Sequence, residues 1–176
     1  MPGYARPGDD RPMDVYVIRH AIAVERRPDQ EDAGRPLTDK GVRRFTRAVH
    51  GLSNLGVALD RVFHSPWRRA VETARLLGPV VVGEFESTEL LTRNADERVL
   101  GLVQALPDTA RVAFVGHEPW MGELASLLLT GTVEYADNLP FKKGGVAWLS
   151  GQVGAGTMAL TGFFPPRVLR RLGEAR

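Results

Sequence analysis

The chain has 176 residues, 43% of them hydrophobic and 25% charged, enough for one domain with a buried core and too little for two. No apolar run reaches the ~18–20 residues a membrane-spanning helix needs, and the polar, Pro- and Gly-rich residues 1–12 lack the apolar stretch of a secretory signal. With 0 cysteines, disulfide frameworks, thiolate catalysis and Cys-ligated metals are excluded, and a cytoplasmic location is the expectation.

Of the 23 basic residues, 20 are Arg and 3 are Lys. Arginine offers a planar, permanently charged fork that grips phosphate through paired hydrogen bonds. The chain is also rich in Ala, Gly, Val and Leu, as GC-rich coding would produce, so individual arginines count only by their neighbours. The charge is unevenly placed. Residues 165–176 carry four Arg against one Glu, whereas residues 14–164 hold 17 basic and 18 acidic side chains. A near-neutral body argues against a nucleic-acid-binding face spread over the domain.

Taken in chain order, residues 1–13 read as a flexible leader with no periodic apolar pattern. Residues 14–18 form a β-branched and aromatic run suited to a buried strand, ending at Arg19-His20 and a charged loop. Thr38 predicts an N-cap for a helix that carries Phe45, Val49, Leu52 and Leu55 at helical spacing. A second strand over 61–64 meets Ser65-Pro66, which read as N-cap and first helical position of a helix to about Leu77. A third strand follows over 79–85, a helix over 95–106, and a fourth strand over 111–115 that ends at Gly116-His117. An apolar helix spans 119–129, strands are expected over 145–149 and 158–162, and a short basic helix over 167–172.

Strands alternating with helices imply an α/β fold: one three-layer α/β/α domain over residues 14–172, a mainly parallel central sheet, and a short tail over 173–176. Ligands of such sheets sit at the carboxyl ends of the strands. Here those ends carry Arg19-His20, His64-Ser65-Pro66 and Gly116-His117. Two imidazoles with two or more guanidiniums suit a dianionic tetrahedral group. A neutral imidazole is a competent nucleophile toward phosphorus near neutral pH, and arginines can carry the charge of the equatorial oxygens without a metal or other cofactor.

These residues carry a resemblance. Val17-Ile18-Arg19-His20-Ala21 resembles the Arg-His-Gly signature of the histidine phosphatase (phosphoglycerate mutase-like) superfamily, with Ala21 in place of Gly. Ser65-Pro66-Trp67-Arg68-Arg69-Ala70-Val71-Glu72-Thr73-Ala74 is similar to its second motif, and Val115-Gly116-His117-Glu118-Pro119 to its second-histidine motif. The small SixA-type phosphohistidine phosphatases also share Arg35-Pro36-Leu37-Thr38, Lys142-Lys143-Gly144-Gly145 and a closing Pro166-Arg167-Val168-Leu169. The resemblance implies that His20 is the nucleophile, that Arg19 and Arg69 bind phosphate, and that His117 contacts the phosphoryl oxygens. It places Arg35 over the pocket as a substrate contact.

Larger relatives protonate the leaving oxygen with a Glu after the third strand. In this chain Glu89 is carried as the candidate acid beside Asp96, and neither stands in a recognisable acid motif. An alkoxide needs such an acid, whereas the nitrogen of a protonated phosphoimidazole leaves readily. The expected substrate is therefore phosphohistidine on a protein or peptide. The alternatives are a phosphatase of small phosphomonoesters and an inactive phosphate-binding module on the same scaffold. His64 and Arg68 are expected to be peripheral.

Overall fold

The computed structural model describes residues 11–28 and 31–174. Its strands are β1 (Met13–Arg19), β2 (Leu59–His64), β3 (Val81–Ser87), β4 (Arg111–Gly116), β5 (Val146–Gly151) and β6 (Met158–Phe164). Its α-helices are α1 (Asp39–Asn54), α2 (Arg68–Leu76), α3 (Arg98–Gln104), α4 (Trp120–Thr130) and α5 (Pro166–Leu172). The sheet runs β3-β2-β4-β1-β5-β6. The pairings among β3, β2, β4 and β1 are parallel, and β5 and β6 close one side antiparallel.

Side chains alternate across the sheet, and each face has its own core. Val15, Val17, Val112, Phe114, Ala147 and Leu149 pack with Val99 and Val103 of α3 and with Trp120, Met121, Leu124 and Leu128 of α4. Tyr16, Ile18, Val62, Ala113, Val115 and Val146 pack on the other face with Phe45, Val49 and Leu52 of α1, Ala70 and Ala74 of α2, and Leu169 of α5. Such near-continuous apolar strands are what a sheet covered on both sides requires. The expected three-layer α/β/α architecture is the one observed.

Several boundaries differ from the sequence reading. The leader read over residues 1–13 lies outside the described residues up to residue 10, while Met13 is buried and pairs with Gly151 as part of β1. Thr38 caps α1 as expected, accepting from the Gly41 amide at 2.9 Å. Ser65 does not cap α2, which begins at Arg68 after an extended Trp67. The Ser65 hydroxyl is instead shared between the Trp67 amide and His117, a competition no local rule could rank. α3 is shorter than the 95–106 pattern at both ends, and ahead of it the Glu123 carboxylate accepts the Ala95 amide at 2.8 Å. The apolar surround of α4 reflects burial on two sides, since residues 136–141 fold over the face turned from the sheet.

The antiparallel end of the molecule depends on close backbone approach. α5 crosses α1 at Gly51, where a Cβ would stand 2.0 Å from the Leu169 carbonyl oxygen. Gly51→Ala is expected to destabilise the fold by about 1–3 kcal/mol, because backbone rather than a flexible side chain must yield. Gly101 in α3 has open space around it, and Gly101→Ala should stabilise by about 0.5–1 kcal/mol through helix propensity. Urea midpoints of the two variants moving in opposite directions are the expected result.

Candidate active site

The parallel strands place the site by extending their ladders one residue beyond their ends. The His20 amide donates to the Gly116 carbonyl at 2.9 Å, the Ser65 amide to Val115 at 3.0 Å and the Arg19 amide to Gly145 at 3.1 Å. The Gly144 amide in turn donates to the carbonyls of Arg19 and His20. The backbone under Arg19, His20 and Ser65 is therefore as fixed as the sheet itself, and His117 follows the end of β4 directly.

Above this edge lies a cavity of about 520 Å³ lined by Arg19, His20, Arg35, Arg69 and His117, together with Asp32, Trp67, Arg93, Glu118 and Lys143. His20 is 5% exposed, and its Nδ1 lies 2.7 Å from the carbonyl oxygen of Ala21. A carbonyl can only accept, so Nδ1 carries the ring proton and Nε2 keeps its lone pair. That lone pair receives Nε–H of Arg69 at 3.2 Å. The Ala21 amide is held by the Thr73 hydroxyl at 3.0 Å, so α2 fixes the segment that fixes the ring.

Arg69 projects from the first turn of α2 and is 3% exposed. Its guanidinium lies 4.5 Å from the centroid of the Trp67 ring, and its remaining donors reach Asp32: Nη1 to the carbonyl at 2.7 Å and Nη2 to the carboxylate at 3.1 Å. Asp32 also accepts Nε of Arg35 at 2.7 Å, while Arg35 Nη1 binds the Val24 carbonyl. These contacts tie a strap, closed at its base by the Val24 amide on the Pro36 carbonyl, over the cavity. Arg19 donates through Nη1 to the Phe141 carbonyl, and its buried Nε has no hydrogen-bond partner among the described residues.

The second imidazole, His117, packs 4.6 Å from the Trp67 ring and 5.2 Å from His20, centroid to centroid. Its Nε2 meets the Ser65 hydroxyl at 2.9 Å, and its buried Nδ1 also lacks a partner among the described residues. Two orphaned polar atoms, Arg19 Nε and His117 Nδ1, in the lining of one cavity fit an anion with several acceptor oxygens, since a buried donor without a partner costs about 1–3 kcal/mol.

The electrostatics favour neutral rings at both histidines. Burial pushes His20 down to about 3, and its neighbours His117, Arg69 and Arg19 act in the same direction against the hydrogen bond to Ala21. Burial likewise pushes His117 down to about 3, with Arg69, Arg35 and Arg19 adding to it and Asp32 opposing. The Asp32 carboxyl is held below its usual range by Arg69 and Arg35, against the opposing effect of burial.

The structure thus brings Arg19, His20, Arg35, Arg69 and His117 into one cavity. Glu89 stands outside its lining, exposed on a 3₁₀ turn where the Thr92 hydroxyl lies 3.4 Å from its carboxylate. Asp96 is engaged by Arg98 at 2.6 Å, also outside the lining. His64 bonds its neighbour's carbonyl and Arg68 pairs with Glu72 at 2.8 Å, both peripheral as expected.

Asp32, Trp67 and Glu118 are among the lining residues that have no role in the sequence reading. Asp32 sat anonymously in a charged loop, and Trp67 read only as part of a motif. Glu118 was signalled by its place beside His117: its two oxygens accept the amides of Phe141 at 3.0 Å and Gly122 at 3.1 Å, and burial raises its pKa.

A family model, the histidine phosphatase superfamily (branch 1), matches residues 15–92. An uncharacterized protein of Picosynechococcus sp. is 34% identical over 142 residues, covering 78% of this chain and 84% of its own. The protein histidine phosphatase SixA, solved with tungstate, superposes with a TM-score of 0.75 at 25% identity, over 88% of this chain and 98% of that one. A phosphoserine phosphatase of Entamoeba histolytica shares the fold, with a TM-score of 0.64 at 15% identity over 89% of this chain and 99% of its own.

Lowered pKa values have a sign that can be measured. The unfolded chain takes up protons on its imidazoles near pH ~6.5, whereas folded His20 and His117 remain neutral until near 3. Their neutral burial therefore contributes fully above about pH 6.5, and stability declines as pH falls from there toward about 3. In NMR titrations of the free protein, neither ring should protonate between about pH 7 and pH 5. A midpoint near 6.5 for His20 would remove the electrostatic account given above.

Proposed function

The chain belongs to the histidine phosphatase superfamily (branch 1), and we propose that within it this protein hydrolyses phosphohistidine on a protein or peptide, with His20 as the nucleophile. The observation that carries this reading is the pair of contacts on one ring: Nδ1 on the Ala21 carbonyl and Nε2, with its lone pair, at the buried guanidinium of Arg69.

In this scheme the phosphoryl group of the substrate sits between His20 Nε2 and the mouth of the cavity. Arg19, Arg69 and His117 supply donors to its equatorial oxygens, and Arg35 contacts the substrate from the strap. Nε2 attacks phosphorus in line as the substrate's imidazole departs with the electron pair of the phosphorus–nitrogen bond. Water then attacks the phosphorylated His20 and releases inorganic phosphate. The donors are fixed before the substrate arrives, which is where most of the stabilisation of a phosphoryl-transfer transition state comes from.

The leaving group decides between substrate classes. Asp32 lines the cavity and is held ionised by two arginines, whereas Glu89 lies outside the lining. A departing imidazole needs no carboxylic acid; a departing alkoxide does. One observation favours small phosphomonoesters instead: Glu118 lines the cavity with a raised pKa, although both of its oxygens already accept backbone amides.

Acid-quench trapping with radiolabelled substrate should leave label on the wild-type chain and none on His20→Ala. His117→Ala should lower kcat by about 10²–10³-fold, the usual loss for one oxyanion donor. The kcat/KM for a phosphohistidine peptide should exceed that for a matched phosphoserine peptide by at least ~100-fold, the general-acid contribution that the ester would lack. A preference for the ester selects the phosphomonoester reading. Absence of turnover on any phosphorylated substrate selects the inactive binding module.

A further inference from the structure

Beside the catalytic cavity lies a second hollow of about 370 Å³, enclosed by α1, α5 and the turn before β5. Its floor is apolar, built from Ile22, Phe45 and Pro166. Its rim carries five cations: Arg44 on α1, Lys142 and Lys143 on the turn, and Arg167 and Arg170 on α5. No Asp or Glu is among its lining residues. None of the five ammonium or guanidinium groups has an ion pair or hydrogen bond among the described residues. Elsewhere on the surface, arginines do find carboxylates, as in Arg61 with Glu84 at 2.6 Å and Arg98 with Asp96 at 2.6 Å.

This clustering is not a by-product of overall charge. The whole chain carries a net charge of only +2, and folding gathers the C-terminal arginines against Arg44 and the two lysines. Like charges brought together repel, and their mutual effect is visible on Arg170, whose pKa is lowered by burial first and then by Arg44, with Glu174 opposing. An arrangement of this kind is relieved by an anionic partner. The two hollows adjoin, since Lys143 lines both, and Ala21 of the second directly follows His20 of the first.

We infer that this basic hollow docks an acidic segment of the phosphoprotein substrate, with its carboxylates on the cationic rim and an apolar side chain on the Phe45–Pro166 floor. The inference rests on the phosphohistidine-protein reading above. The shape favours a peptide segment. Cations around the apolar residues Ile22, Phe45 and Pro166 suit a segment that alternates carboxylates with an apolar side chain, and the near-neutral body of the chain offers no extended basic face to a nucleic acid. Docking at the second hollow while the phosphoryl group occupies the first makes recognition bipartite, and the segment need not touch the reacting atoms.

The test uses two histidine-phosphorylated peptides that differ only in a flanking segment, Glu-Leu-Glu-Glu in one and Gln-Leu-Gln-Gln in the other. Wild-type protein should show a KM roughly ten-fold lower for the acidic peptide at similar kcat, the sum of several modest charge contacts. The double variant Arg44→Glu/Arg167→Glu should abolish that difference while leaving kcat/KM for the Gln peptide within about two-fold. Lys142→Glu, on a different element, should reduce the difference in the same direction and guards against a folding defect in the double variant. Equal KM values in the wild type, or equal slowing of both peptides by both variants, overturns the inference.

Fluorescence anisotropy with the unphosphorylated acidic peptide reads docking without catalysis. Binding that is lost in the double variant upholds the docking site even if neither phosphopeptide turns over, which would be a failure of the phosphohistidine reading alone. Tighter binding of phosphatidylglycerol vesicles or of a single-stranded oligonucleotide at the same residues overturns the peptide assignment.

Discussion

In the register that pairs Arg19 with Gly116 and His64 with Val115, β1, β4 and β2 end level with one another, and the last hydrogen bonds of the ladder are made by residues of the site. Parallel pairing is what makes this possible. Three chain segments that are distant in sequence leave the sheet in the same direction, so Arg19-His20, Ser65 and His117 emerge side by side. An antiparallel neighbour in place of β4 would have sent one histidine to the opposite edge. The two apolar cores that clamp the sheet from both faces therefore support catalysis indirectly, by denying these strand ends any slack.

The second organising element is charge held away from water. Arg69 is nearly fully buried, and at an effective dielectric constant of ~20 two opposite charges about 4 Å apart attract by roughly 4 kcal/mol, whereas in bulk water they attract by about 1. Asp32 supplies that opposite charge and shares it with Arg35, so one carboxylate orients two guanidiniums. The Trp67 ring supports Arg69 from another side and stacks obliquely on His117. The site thus keeps its cations in place before any anion arrives, and both imidazoles stay neutral because adding further positive charge there is unfavourable.

Much of this was legible from local pattern. Strand and helix alternation gave the layer order, and His20, Arg69 and His117 stood at strand or helix ends in recognisable motifs. The less legible parts depend on contacts between distant segments. Nothing near Asp32 distinguishes it from its charged neighbours; its role exists only because the strap folds over α2. Ser65 carried two valid local readings, and the choice was made by His117, 52 residues away. The second hollow was visible only as a surplus of arginine near the C-terminus, because its other cations come from α1 and the turn before β5. Glu118 is the exception, a residue whose position beside a motif histidine could have marked it.

The contact between His20 Nδ1 and the Ala21 carbonyl also bears on how long a covalent intermediate would last. That carbonyl can only accept, so it holds the ring proton on Nδ1 without taking it away. If Nε2 takes a phosphoryl group while Nδ1 keeps its proton, the ring becomes a cation in the act, with no proton transfer required. Phosphorylated imidazole is at its most labile in that charge state, so the intermediate would form already primed for attack by water. Hydrolysis then returns the electron pair to Nε2 and restores the same neutral tautomer. One backbone oxygen would thus reset the nucleophile after every turnover.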